Sequence, residues 1–233
     1  NSIPELVPGG EKVCLHCGHC VAVCPHGAFS HKKIPVEACQ SIDEANVINE
    51  KQAVQFLRSR RSVRFFQDKP IEKETLQNLI ETARYAPTGG NSQLVEWTVF
   101  NDKEKIHHIA GLAVEGMKHM IESDLEADIP SYFPLIIAAW DLGLDVVSRD
   151  ASALIFSSTP AEAVGGMADV SLALSYLELA AQTKGIGTCW AGIIHRGLSS
   201  WPPLKEAVGL PEDHVHHYAM MLGYAKPKYY RLP

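Results

Sequence analysis

The sequence predicts an α+β domain preceded by a small cysteine-rich module, on three observations. Segments with apolar residues at helical spacing intermix with short alternating or wholly apolar runs, without the strict strand-helix-strand rhythm of a parallel sheet and without an internal repeat. Four of the six cysteines, Cys14, Cys17, Cys20 and Cys24, fall within eleven residues near the start. A length of 233 residues, 46% hydrophobic and 21% charged, suits one ordinary domain with a small extra unit and excludes a disordered or low-complexity chain. The expected division is residues 1–45 for the module and residues 50–233 for the larger domain.

In the module, the cysteine spacing is C-x2-C-x2-C-x3-C followed directly by Pro25. Such short gaps wrap the backbone around one compact object, so that three thiolates converge on an iron-sulfur cluster while the proline turns the chain away. Structural zinc takes pairs separated by a dozen or more residues, and a disulfide framework spreads its cysteines among distant loops, so a cluster is the favoured reading. About 45 residues cannot bury an adequate core, and a metal would then be structural as well as redox-active. Cys39 reads as a small buried residue beneath the module.

In the larger domain, Asn49 and Gln52 have the spacing of a capping pair, and Ala53, Val54, Phe56 and Leu57 supply apolar faces, predicting a helix over Glu50–Ser59. Leu76, Leu79, Ile80 and Ala83 predict a second helix ending before Pro87, with a glycine-rich loop after it. Val95, Trp97 and Val99 alternate with Glu96 and Thr98 as in a half-buried strand, closed by an Asn101-Asp102 turn. Ile106, Ile109, Ala110, Ala113, Met117, Met120 and Ile121 predict a helix over Lys103–Glu122. A helical rhythm in Ile136, Trp140, Leu144 and Val147 covers residues 134–147, weakened by Gly143. Residues 151–157 read as a buried strand. Val170, Leu174, Leu177 and Ala181 form one stripe of a helix over residues 169–184, with Gly185 as its C-cap. Residues 187–194 read as strand or extended loop and residues 215–222 as the last strand.

Lys and Arg number 21 against 27 Asp and Glu, a net charge of −6, which excludes general affinity for nucleic acid or anionic membranes; any anion site must be local. The longest apolar run, residues 133–140, has eight residues including a proline, too few to span a bilayer. The first ten residues carry no export signal, so a cytoplasmic location is expected, with no nucleic-acid or membrane partner. The chain opens on Asn1 rather than Met, which leads to the expectation of a fragment of a longer product. Arg58, Arg60, Arg61 and Arg64 lie within seven residues around Ser62, a candidate phosphate cradle because guanidinium forks bind phosphate oxygens bidentately. A solvated helix end is the alternative. His214, His216 and His217 make a poor zinc set, because adjacent strand residues face opposite ways.

The cysteine run resembles one half of a bacterial ferredoxin carrying two 4Fe-4S clusters. In that family Cys14, Cys17 and Cys20 would hold one cluster and Cys24 would serve a second. Either a partner run preceded Asn1, or one cluster is held with Cys24 or Cys39 as fourth ligand. A second resemblance rests on four motifs in order: Arg60-Arg61-Ser62-Val63-Arg64-Phe65-Phe66, Ala86-Pro87-Thr88-Gly89-Gly90-Asn91-Ser92-Gln93, Gly185-Ile186-Gly187-Thr188-Cys189-Trp190-Ala191-Gly192 and Arg231-Leu232-Pro233. Together they resemble the nitroreductase family of FMN enzymes, in its ferredoxin-fused branch.

The second resemblance implies a mixed, mainly antiparallel sheet flanked by helices, and a homodimer with FMN at the subunit interface. By motif, Arg60, Arg61, Ser62 and Arg64 would bind FMN, with Arg231 closing on the phosphate. A cation at Arg64 would also stabilise charge on the reduced flavin. Pro87, Thr88, Gly89 and Asn91 would come from the neighbouring subunit to line the isoalloxazine. Ala191 and Gly192 would approach N5, the hydride-bearing atom, where glycine permits close approach. The chemistry would sit on FMN, with no side chain as catalytic residue; Cys189 and Trp190 read as core. NAD(P)H, if used, would stack on the flavin directly, since Gly185 and Gly187 lack the rest of a dinucleotide fingerprint. The expected function is passage of electrons from clusters, a ferredoxin donor or NAD(P)H through FMN to a small oxidised acceptor such as a nitro compound or quinone. A non-catalytic flavin and iron-sulfur electron carrier is the alternative.

Overall fold

The computed structural model describes residues 7–123 and 129–232; the first six residues of the module and Pro233 of the last motif lie outside them. The module has little regular structure: a helix, α1 (His19–Val23), single 3₁₀ turns, and a bridge between His31 and Ile34. Val21 is its one buried side chain among the described residues. Cys39, expected beneath the module, is exposed instead, because none of the described residues packs over the chain there and residues 37–49 are exposed throughout.

Helix α2 (Glu50–Ser59) starts on the capping box its spacing predicts: Asn49 Oδ1 accepts from the Gln52 N–H at 3.0 Å and Gln52 Oε1 from the Asn49 N–H at 2.9 Å. Next come α3 (Lys73–Ala83), β1 (Glu96–Phe100) and α4 (Lys103–Glu122), the last capped by Asp102, which accepts from the Lys105 N–H. Helix α5 (Phe133–Asp141) ends six residues before the predicted limit. Gly143, at φ +79°, is the stop: its N–H bonds the Trp140 carbonyl at 2.8 Å and the Leu144 N–H bonds that of Ala139 at 2.9 Å. This pair of bonds is a Schellman closure, so Gly143 terminates the helix rather than weakening it.

Strand β2 (Ala153–Pro160) and helix α6 (Gly166–Thr183) follow close to expectation, with Gly185 at φ +69° beyond the helix end. Strand β3 (Ile186–Trp190) stops earlier than predicted, because residues 192–194 open a helix, α7 (Gly192–Ser200). The β-branched Ile193 and Ile194 mimic a strand, but Ile194 and Leu198, four apart, both bury into the core from one helical face. Helix α8 (Pro202–Val208), with prolines in its first turn, and β4 (His214–Tyr224) complete the domain.

The strands order β1-β2-β4-β3, every named pair antiparallel; the parallel contribution expected of a mixed sheet is confined, among the described residues, to an isolated bridge between Ser62 and Thr188. Helices α4, α7 and α8 bury one face with Ile106, Ile109, Ile194 and Leu204, while α3 and α6 bury the other with Leu79, Val170, Leu174 and Leu177. Covered on both sides, β2 is buried from Ala153 to Thr159. No helix among the described residues is long and apolar enough to cross a membrane.

Candidate functional site

Residues 60–67 form a strap that crosses the ends of β3 and β4. Backbone bonds pin it at three points: Val63 N–H to the Thr188 carbonyl at 2.8 Å, Gln67 N–H to that of Tyr224 at 2.7 Å, and Lys226 N–H to that of Phe65 at 2.9 Å. Two glycines make room. Gly187 and Gly223 face each other across the β3–β4 pairing; a Cβ on Gly187 would lie 2.5 Å from Val63 Cγ2, and one on Gly223 2.6 Å from Phe66 Cδ1. Val63 and Phe66 are buried, which leaves Arg64 and Phe65 between them at the surface edge.

The strap thereby presents its cations differently. Arg60 lies 3.6 Å from the carboxylate of Glu178 on α6, which is almost fully buried and accepts from Thr188 Oγ1 and Trp190 Nε1, each at 3.3 Å. Arg61 donates from Nη1 to the Arg60 carbonyl at 2.9 Å, while its Nη2 is buried without a partner. An orphaned buried guanidinium donor fits an anionic group that the protein's own atoms do not supply. Arg64 is exposed and only grazes the Ser62 carbonyl, at 3.4 Å. Arg231 is exposed in the tail and makes no hydrogen bond or ion pair among the described residues. Burial raises the Cys189 thiol above its ordinary pKa, as suits the core residue it was expected to be.

The glycine-rich loop stands elsewhere. Gly89 N–H donates to Asp169 Oδ1 at 2.9 Å, near the start of α6, and Thr88 Oγ1 accepts from the Gln93 N–H at 3.0 Å. Asn91 Nδ2 donates to the carbonyls of Leu15 and His16 at 3.0 and 3.1 Å, inside the cysteine run. The strap is anchored further along α6, at Glu178, and the end of α2 that leads into it is held at Gln182, whose Nε2 bonds Phe56 and Ser59. Nine to thirteen residues of helix separate these anchors from Asp169, about 14 to 20 Å of axial rise. Within one chain, the two halves of the expected cofactor site do not meet.

Ala191 and Gly192 form the corner between β3 and α7, and a Cβ on Gly192 would lie 3.2 Å from the Tyr218 hydroxyl. His195 stacks on the Tyr218 ring at 4.4 Å and lies 5.2 Å from the His216 ring. A bulge at His217 interrupts the β2–β4 register, and the histidines disperse: His214 pairs with Ser158, His217 with Thr159, and His216 leaves both nitrogens buried without partners. Among the described residues they form no three-ligand group.

Burial, helped by neighbouring His195 and His217, lowers the His216 pKa from 6.5 to about 3. The unfolded chain binds a proton there below pH 6.5 while the folded one stays neutral, so this contribution is complete above pH 6.5 and is lost as pH falls toward 3. The loss between pH 6.5 and 5 is about 2 kcal/mol. Urea unfolding at the two pH values checks this, and His216→Leu is expected to flatten the dependence; an unchanged slope in the variant would remove the assignment.

In the module, Cys14, Cys17 and Cys20 are exposed and Cys24 is half-buried. The Ala28 N–H reaches Cys24 Sγ at 3.2 Å and, with that of His26, holds the thiol below its ordinary pKa. Backbone donors aimed at sulfur suit a metal-bound thiolate. Cys14, His16 and His31 alone, among the described residues, bring three ligand atoms within 4.8 Å of one another. That trio has an explanation without metal. His31 Nδ1 accepts from the Lys33 N–H, which leaves its Nε2 protonated to donate to His16 Nδ1 at 3.0 Å.

Asp169, Glu178, Gln182 and Tyr218 were not expected at the site. Asp169 and Glu178 carried one available signal, as the two charges on an otherwise uncharged helix.

The fold is shared with solved structures. A nitroreductase with bound FMN from Bacteroides fragilis superposes with a TM-score of 0.64 at 21% identity, over 79% of this chain and 96% of that one. Another, from Desulfitobacterium hafniense, gives 0.63 at 20% identity, over 78% and 93%. In sequence, a Cr(VI) reductase of Pseudomonas is 28% identical over 170 residues, spanning 72% of this chain and 65% of that one. Fold, strap and relatives define the class as a flavin-dependent oxidoreductase. The nitroreductase family model matches residues 57–224, and the chain belongs to that family.

Proposed function

We propose that two copies of this chain form an FMN-dependent oxidoreductase in which the strap of one subunit and the 87–93 loop of its partner enclose each flavin, fed by an iron-sulfur cluster on the cysteine run. The observation that carries the dimer is the outer face of α6. Met167, Leu172 and Tyr176 are 50%, 42% and 42% exposed, and the helix's two charged side chains, Asp169 and Glu178, both point inward. A solvent-facing helix face without a charge is an interface waiting for its partner. Association along it would let loop and strap, separated within one chain, combine between chains.

Arg61 Nη2 would donate to the phosphate, with Ser62 beside it and Arg60 held in place by Glu178. Arg64, exposed midway along the strap, would face the pyrimidine edge and Arg231 would close from the tail. The Ala191-Gly192 corner would admit N5. Bound FMN supplies transfer of an electron pair as hydride, and the cluster supplies single electrons. Cys14, Cys17 and Cys20 would be cluster ligands, and the N–H groups at Cys24 would stabilise it as the fourth thiolate or as a ligand to a second cluster. The domain offers no separate nucleotide fold, so NAD(P)H would reach the flavin directly; a reduced ferredoxin is the other donor class. Acceptors would be small oxidised molecules such as nitro compounds or quinones, for which exclusion of water and placement against the flavin suffice.

The test is protein purified without oxygen, its visible spectrum recorded before and after dithionite, with flavin and iron counted per chain. Flavin bands over a broad shoulder, both bleaching, are expected. Flavin without iron would overturn the cluster and leave the reductase; absence of both would overturn the whole reading.

A further inference from the structure

One side chain joins the two proposed cofactor regions. Asn91 Nδ2 donates to the carbonyls of Leu15 and His16, which lie between Cys14 and Cys17, and Asn91 Oδ1 accepts from Gln93 Nε2 at 3.1 Å. Both ends of the contact have unusual backbone: His16, Asn91 and Gln93 are non-glycine residues at φ +52°, +55° and +52°. Residues persist there only where their surroundings hold them. The left-handed turn at His16 is what lets two successive carbonyls reach one amide. On the other side, Gly89 bonds Asp169 and Gln93 bonds Thr88, so residues 88–93 form one hydrogen-bonded turn anchored to α6.

From these contacts we infer that metal occupancy of the cysteine run and flavin affinity at the 87–93 loop are coupled, with Asn91 as the positioning residue that couples them. The inference rests on the function proposed above, in which the cysteines hold iron and this loop touches FMN. With Val21 as the one buried side chain among its described residues, the module has little besides a metal to hold its shape. Loss of the metal releases the turn at His16, the Asn91 amide loses both acceptors, and the loop, still tied to Asp169 and Thr88, must be repositioned at Asn91 when flavin binds. Coupling of this kind is reciprocal: FMN tightens iron retention by the same factor that iron tightens FMN. Two hydrogen bonds of ordinary net worth correspond to a change on the order of tenfold.

Equilibrium dialysis of FMN against the full chain tests this, with iron present and after its removal by oxidation and chelation. In the wild-type protein, iron removal is expected to raise the FMN Kd about tenfold. In Asn91→Ala the Kd is raised to that level with iron still bound, and iron removal adds nothing. Asn91→Asp, of the same shape but unable to donate to the two carbonyls, is expected to match Asn91→Ala, and guards against a folding defect in either. Equal Kd values for loaded and iron-free wild type, or an undiminished iron effect in both variants, would overturn the coupling alone. A chain that takes up no iron or no FMN would overturn the function proposed above, and the coupling with it.

Discussion

Leu172→Asp is expected to split the dimer and empty the flavin site. The residue lies at the middle of the uncharged outer face of α6, 42% exposed in the single chain. An interface between two copies related by twofold symmetry would bring the same face of both to the contact, so one substitution introduces two carboxylates. A charge buried without a partner costs about 3 to 5 kcal/mol, and each 1.4 kcal/mol is tenfold in association, so the dimer Kd rises by at least about a hundredfold. The folded chain survives, because Leu172 is outside both cores. Sedimentation with a parallel flavin count reads both effects: a monomer of normal secondary structure that has lost its FMN. Leu142→Asp, at a more exposed leucine beyond the end of α5, is the control and leaves the dimer intact. A Leu172→Asp protein that stays monomeric yet keeps its flavin would show that one chain encloses the cofactor by itself.

The sequence makes visible what is encoded within a few residues. Helices α2 and α4 start and end where their caps and apolar spacing place them, since Asn49 with Gln52 and Asp102 with Lys105 act locally. Local signals fail where two structures share one. Gly143 reads as a weak spot in a helix until its Schellman bonds show a stop, and Ile193 with Ile194 reads as strand until α7 forms under them. The site divides the same way. The strap, the loop and the β3–α7 corner are legible as ordered motifs, and the family match over residues 57–224 bears that resemblance out. What holds them is not legible, because the bonds from Asp169 to Gly89 and from Asn91 to Leu15 span 80 and 76 residues. No periodicity carries such a pairing. The burial expected of Cys39 was not legible for the related reason that burial depends on what packs above, and none of the described residues does.

Gly187→Ala is expected to loosen flavin binding more than it loosens the fold. The added Cβ would sit 2.5, 2.8 and 3.0 Å from Val63 Cγ2, Cβ and Cγ1, so the strap must lift away from β3. Overpacking of that size costs about 1 to 3 kcal/mol of stability. The sheet can absorb it, because β3 stays bonded to β4 along five residue pairs. The strap cannot, because its hold on β3 is the Val63 N–H bond to Thr188 beside the clash. Arg61 and Ser62 precede Val63 directly and Arg64 follows it, so a shift of about an ångström misplaces every donor proposed for the phosphate and ring edge, an error that can cost about a hundredfold where geometry is demanding. Chemical denaturation and FMN dialysis on the same protein separate the two effects. Val63→Ala in the Gly187→Ala background removes two of the three close contacts, and recovery of affinity in the double variant beyond the sum of the singles assigns the loss to that packing. A Gly187→Ala protein with reduced stability and wild-type FMN affinity would detach the strap from the cofactor and leave it a structural crossing of the sheet.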